Sequence, residues 1–231
     1  MKIDNNLKNK VTEDWKNAFP QLALFAKDKF YKVLGPLVIG IELIKLPRTA
    51  DYRPYFVIYA LFGNRMGKDI RACLSGPILL ESYLNKKGSQ YDISFEKHTI
   101  LFKDVIESIY NQTPLSFSNN NSLNSLLLVF DKYSKQPPLS AAPKSYLQAS
   151  LYEMRLKIAL YVSTQEAEGI LEKINGINWD INHFEACGVD FNNWLQSLQD
   201  VIKEKDLFLE IIEQNKKDKK IAKLHYSELI V

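Results

Sequence analysis

The segment Leu37-Val38-Ile39-Gly40-Ile41-Glu42-Leu43-Ile44, followed after a polar interval by Tyr55-Phe56-Val57-Ile58-Tyr59-Ala60-Leu61-Phe62, decides the fold class of this chain. In the first segment every odd residue from 37 to 43 is apolar, while the other face mixes Val38, Gly40, Glu42 and Ile44. A period of two with one dry face is the pattern of a strand. The second segment is apolar without a break, rich in aromatic and β-branched side chains, and too short for an independent helix, so it predicts a buried strand. The two are expected to pair as a hairpin. Their connection, residues 46–54, holds Pro47 and Pro54 and exceeds the two-residue turns of tight hairpins. It predicts a charged tip that projects from the sheet edge and exposes Arg48, Asp51, Tyr52 and Arg53.

Working outward, Thr12 can cap a short helix through Phe19, ended by Pro20, because its side chain accepts from free first-turn amides. Residues 70–74 form a candidate third strand, reached through residues 63–68 and ended by Gly76-Pro77. Leu101, Val105 and Ile109 then repeat at helical spacing, with Phe102 and Ile106 widening the stripe, which predicts a helix packed across the sheet. Residues 1–135 thus read as an α+β region, an antiparallel β-meander with packed helices. A further apolar helical stretch at Leu123, Leu126, Leu127 and Phe130 leads into residues 136–144, where Pro137, Pro138 and Pro143 predict a linker or hinge.

Residues 145–231 read as helical, either as a separate region or packed with the first as one domain. Leu147, Leu151, Met154 and Ile158 share one helix face, with Glu153 and Lys157 in the favourable i,i+4 order. Ser163 with Glu166 forms a capping-box pattern, and Gly176 is placed to end that helix in the left-handed conformation. Asp190 and Asp206 are expected to cap two more helices, carrying Trp194, Leu198 and Val201, then Leu207, Ile211 and Ile212. No phrase recurs at the period of a helical-repeat array.

The chain has 231 residues, 46% hydrophobic and 25% charged, which is an ordinary globular composition far from the regime of disorder. Its net charge of +3 is weak, and arginine, the bidentate reader of phosphate and guanine, occurs only at 48, 53, 65, 71 and 155. Charge therefore gives no case for nucleic acid. Cys73 and Cys187 are too few for a disulfide framework, which favours a reducing compartment. The first residues are polar where a signal peptide needs an apolar run, and the strongest apolar run contains Glu42, so secretion and membrane spanning are both disfavoured. A cytoplasmic location is expected.

Chemical motifs are weak throughout. Gly63-Asn64-Arg65-Met66-Gly67-Lys68-Asp69 follows a strand, as a phosphate loop would, but one residue is missing between the glycines and Asp69 replaces the magnesium-binding hydroxyl. Asp180, His183 and Cys187 would share a helix face and could offer three ligands to a metal. Asp180 is also a natural helix cap, and no second ligand pair stands nearby, so no metal or cofactor is expected. His183 with Cys187, or His98 with Cys73, can be drawn as base and thiol, without local support for an activated thiol. Ser75 lacks the glycine elbow of a hydrolase. Glu42, Glu81 and Glu96 are isolated acids. Lys216, Lys217, Lys219, Lys220 and Lys223 form the dense basic cluster, which either grips phosphates or complements a helix C-terminus.

These readings favour a non-catalytic protein-binding component, with Arg48, Asp51, Tyr52 and Arg53 as its contact site. An immunity, adaptor or defence-system accessory subunit fits, and the lysine- and asparagine-rich composition leans bacterial. The alternatives are an enzyme whose site assembles only in the fold, and a nucleic-acid-associated subunit using the lysine cluster. An enzyme should present a pocket with converging ionisable groups, whereas a binding module should present an exposed loop or apolar patch without them.

Overall fold

The computed structural model describes residues 4–63, 74 and 76–231. Helix α1 (Asn5–Ala18) leads into β1 (Ala23–Ala26), β2 (Lys29–Leu34), β3 (Leu37–Lys45), β4 (Asp51–Ala60) and β5 (Leu79–Ser82), which lie side by side in chain order, each antiparallel to the next. The short β6 (Ile93–Ser94) pairs with the start of β4, and α2 (His98–Gln112) follows. After β7 (Asn121–Ser122) and α3 (Leu123–Ser134) come α4 (Tyr146–Val162), α5 (Thr164–Asn175), α6 (Ile181–Ala186), α7 (Phe191–Lys203) and α8 (Lys205–Lys216). The chain then returns to the sheet. Strand β8 (His225–Ser227) runs parallel to β2, and β9 (Leu229–Ile230) parallel to β7. The α+β class read from the sequence holds.

The central hairpin explains why the sheet forms. Leu37, Ile39 and Ile41 stand opposite Ala60, Ile58 and Phe56, and every residue from 37 to 43 is buried. Each fully buried aliphatic side chain of this kind contributes roughly 1.5–3 kcal/mol. One face carries Phe30, Ile41, Phe56 and Tyr52. It meets α1 through Trp15 and the loop before β7 through Phe117. The helical half meets the sheet at the end where β2 turns into β3 and β4 leaves. There Asn215 Nδ2 donates to the Leu61 carbonyl at 2.6 Å, and the Phe62 and Phe208 rings lie 5.6 Å apart. Buried side chains from Val11 to Leu229 form one contiguous cluster. Residues 136–144 are exposed for much of their length but tied down. Gln148 Nε2 donates to the carbonyls of Ser134 and Leu139, and Gln136 Nε2 donates to Glu81.

Several local expectations are corrected. Thr12 lies inside α1, which begins after Asp4, and its hydroxyl donates to the carbonyls of Lys8 and Lys27. Strand β4 begins at Asp51 rather than Tyr55, which shortens the connection to residues 46–50. Gly176 ends α5 at φ −78°, on the right-handed side. Asp206 sits in the first turn of α8 instead of capping it. Ser163, Asp180 and Asp190 do cap their helices by accepting from Glu166, His183 and Asn193 amides. Of the proposed third strand, residues 70–73 lie outside the described residues, as do residues 64–69 of the glycine-containing loop and Cys73.

Candidate functional site

Of the four residues expected at an exposed tip, only Arg48 is exposed. It takes a left-handed φ of +68° in the turn, closed by the Leu46 amide donating to the Asp51 carbonyl at 3.0 Å. Asp51 pairs with Ser94 and is half-buried. Arg53 reaches across the edge, Nε donating to Asp92 at 2.5 Å and Nη1 to Gln90 at 2.6 Å. Tyr52 is a correction, because it is 1% exposed and belongs to the core. β4 places it on the face under α1, where its ring meets Trp15 edge-on. The four residues do not form one surface.

Asp180 and His183 are joined by the cap itself, and Cys187 Sγ lies 3.6 Å from His183 Nδ1. His183 Nδ1 also accepts from the Tyr146 amide at 3.3 Å. Among the described residues no three His, Cys, Asp or Glu side chains converge as a metal site. In the lysine cluster, Lys216 is drawn inward by Glu213 Oε1 at 2.7 Å and the Tyr161 hydroxyl at 3.2 Å. Lys217, Lys219, Lys220 and Lys223 are exposed, along a turn and a short 3-10 helix instead of one helix face. Among the described residues no helix is long and apolar enough to cross a membrane.

Two buried polar clusters were not legible in the sequence. Tyr31 and Tyr59 both donate to Glu42 Oε1, Tyr59 at 2.5 Å, and Lys29 Nζ lies 3.0 Å from the same oxygen. Burial first, and then the Glu42 carboxylate, push both phenols above their ordinary range. A phenol held protonated in this way is a poor nucleophile at neutral pH. On the opposite face Trp15, Tyr52, His98 and Asp14 form a hydrogen-bonded chain, with His98 fully buried. Desolvation raises the Tyr52 pKa as well.

An apolar concave surface lies elsewhere among the described residues. A cleft of about 560 Å³ opens between the far end of β4, the start of β5 and helices α4, α7 and α8. Phe62, Ile78, Met154, Val201, Leu207 and Ile211 supply its apolar lining. Leu207 is 53% exposed, a large apolar side chain presented to solvent on its border. Lys157, Asp200 and Glu204 also line the cleft. Lys157 is held by Glu153 on its own helix at 2.5 Å, and Asp200 by Gln196 at 2.8 Å and Lys203 at 3.4 Å. Two of these three charged side chains are thus tied to partners on their own helices. The helix periodicity had marked Met154, Val201, Leu207 and Ile211 as apolar, but their meeting in one cleft depends on how α4, α7 and α8 pack at the sheet end.

No family model, curated protein or solved structure matches this chain.

Proposed function

We propose that this chain is a non-catalytic protein-binding component, and that the cleft between α4, α7, α8 and the sheet end receives an apolar segment of another protein. The observation that carries this reading is an apolar lining in which two of the three charged side chains are bound to partners on their own helices. Such a surface gains affinity by removing apolar area from water, while the charges set orientation. Arg48 lies at the other end of β4, roughly 30 Å away at about 3.3 Å per residue, so the hairpin tip and the cleft cannot belong to one small contact.

Tagged chain carrying Leu207→Glu tests the reading beside wild type, with both used to capture partners from native host extract. Leu207 is half-exposed, so the substitution should leave the melting temperature nearly unchanged. A protein retained by wild type and lost with Leu207→Glu supports the reading. Capture that is indifferent to the substitution removes the cleft from the interface.

A further inference from the structure

With a neutral imidazole, the chain of hydrogen bonds through Trp15, Tyr52, His98 and Asp14 has one arrangement of protons. An indole N–H can only donate, so the Tyr52 oxygen accepts from Trp15 Nε1 at 3.1 Å. The single Tyr52 proton then points at His98 Nδ1, 2.7 Å away, which makes Nδ1 an acceptor. The remaining ring proton, on Nε2, donates to the Asp14 carboxylate at 3.0 Å. A neutral imidazole fills every role. A second ring proton, on Nδ1, would have to donate to the Tyr52 oxygen, and the phenol proton would lose its acceptor on the ring.

Three elements meet at this imidazole. Asp14 and Trp15 come from α1, Tyr52 from β4, and His98 is the first residue of α2. The geometry points to an acid-sensitive latch, in which protonation of His98 releases α1 from β4 and α2 and uncovers the apolar surface under Trp15 and Phe19. Trp15 and Phe19 are stacked on each other and almost completely buried while the latch is closed.

The charged and titratable groups facing the ring are Asp14 and Lys10 on α1 and Tyr52 on β4. Lys10 is held nearby by its bond to Thr99 at 3.2 Å. Burial, the largest influence, and Lys10 disfavour the imidazolium, while Asp14 favours it, and the net pKa is lowered. A lowered folded pKa means that the unfolded chain takes up the proton first. The stabilisation is therefore complete above the ordinary value of 6.5 and is lost as pH falls through the folded value.

The test is a nuclear magnetic resonance titration of the full chain from about pH 8 to about pH 4. It follows the His98 ring, the Trp15 indole N–H and the amide exchange of α1 in the same samples. His98 should titrate below 6.5, the Trp15 resonance should move with the same midpoint, and α1 amides should lose roughly tenfold more protection than those of α4. Asp14→Asn, at a partly exposed carboxylate, should move the midpoint lower still. His98 titrating at or above 6.5, α1 protection that follows α4 throughout, or a midpoint unmoved by Asp14→Asn would overturn the latch.

Discussion

Tyr31 and Gly40 stand directly opposite each other across β2 and β3, and the Tyr31 ring fills the space that a side chain at position 40 would need. A Cβ there would lie 2.9 Å from the ring Cδ1 and would run into the Phe30 carbonyl oxygen. One of the two obstructions is backbone in the middle of the sheet, so side-chain rotation cannot relieve it. Gly40→Ala should cost about 3 kcal/mol or more, at the top of the ordinary overpacking range. Urea denaturation checks this, and a change within about 0.5 kcal/mol would show that β2 can move away freely.

The Glu42 carboxylate gathers two phenols and an ammonium, and these contacts are unequal. Glu42→Ala leaves the Tyr31 and Tyr59 hydroxyls without their acceptor inside the sheet and should destabilise by about 3 kcal/mol. Lys29→Ala should cost under about 1 kcal/mol, because the Lys29 side chain is 40% exposed and water screens it. Equal losses from the two variants would contradict the ranking.

Alkaline pH should unfold the protein through its buried phenols. Tyr31, Tyr52, Tyr59 and Tyr83 all have pKa values raised above 10.0, chiefly by burial. The unfolded chain therefore loses these protons first as pH rises. Their contribution is complete below pH 10.0 and is lost above it, as pH climbs toward the folded values. In a spectrophotometric titration these four should ionise only together with the loss of near-ultraviolet circular dichroism. Smooth ionisation near 10 with the signal intact would contradict their burial.

The continuity of the core from Val11 to Leu229 leads to an expectation of one unfolding transition. Trp15 reports on the sheet side, and Trp179 with Trp194 on the helical side, all at 6% exposure or less. Variants keeping either Trp15 alone or the Trp179 and Trp194 pair should give the same denaturant midpoint once each is corrected for its own stability. Two separate midpoints would show that residues 136–144 join independently stable halves.

The β3–β4 hairpin was legible because its alternation and aromatic run are local properties of consecutive residues. The fate of Tyr52 was not, because Pro54 reads as the end of a loop. Leu43, opposite Pro54, sends its amide to the Asp28 carbonyl on the β2 side, so the pair carries no ladder bond. The missing Pro54 N–H faces the outer edge, between Ile93 at the start of β6, opposite Tyr52, and Ser82 at the end of β5, opposite Tyr55. A proline costs nothing there, and the strand continues through it. Periodicity likewise placed α2 but could not say that Leu101 would be 37% exposed while Val105 and Ile109 are fully buried. Asp14, Tyr52 and His98 come together only through tertiary packing, and so do the sheet end and three helices that shape the cleft. No sequence spacing records either.

The most direct test of the cleft as a binding surface is photo-cross-linking in the native host. A photoreactive residue is placed at Leu207, 53% exposed on the cleft border, and as a control at Leu128, 63% exposed on α3. The two sites have similar exposure, so nonspecific collisions should label both alike. The proposal expects a discrete cross-linked protein from position 207 that is missing from position 128. The same products from both positions, or none from 207 while 128 gives a discrete product, would contradict it.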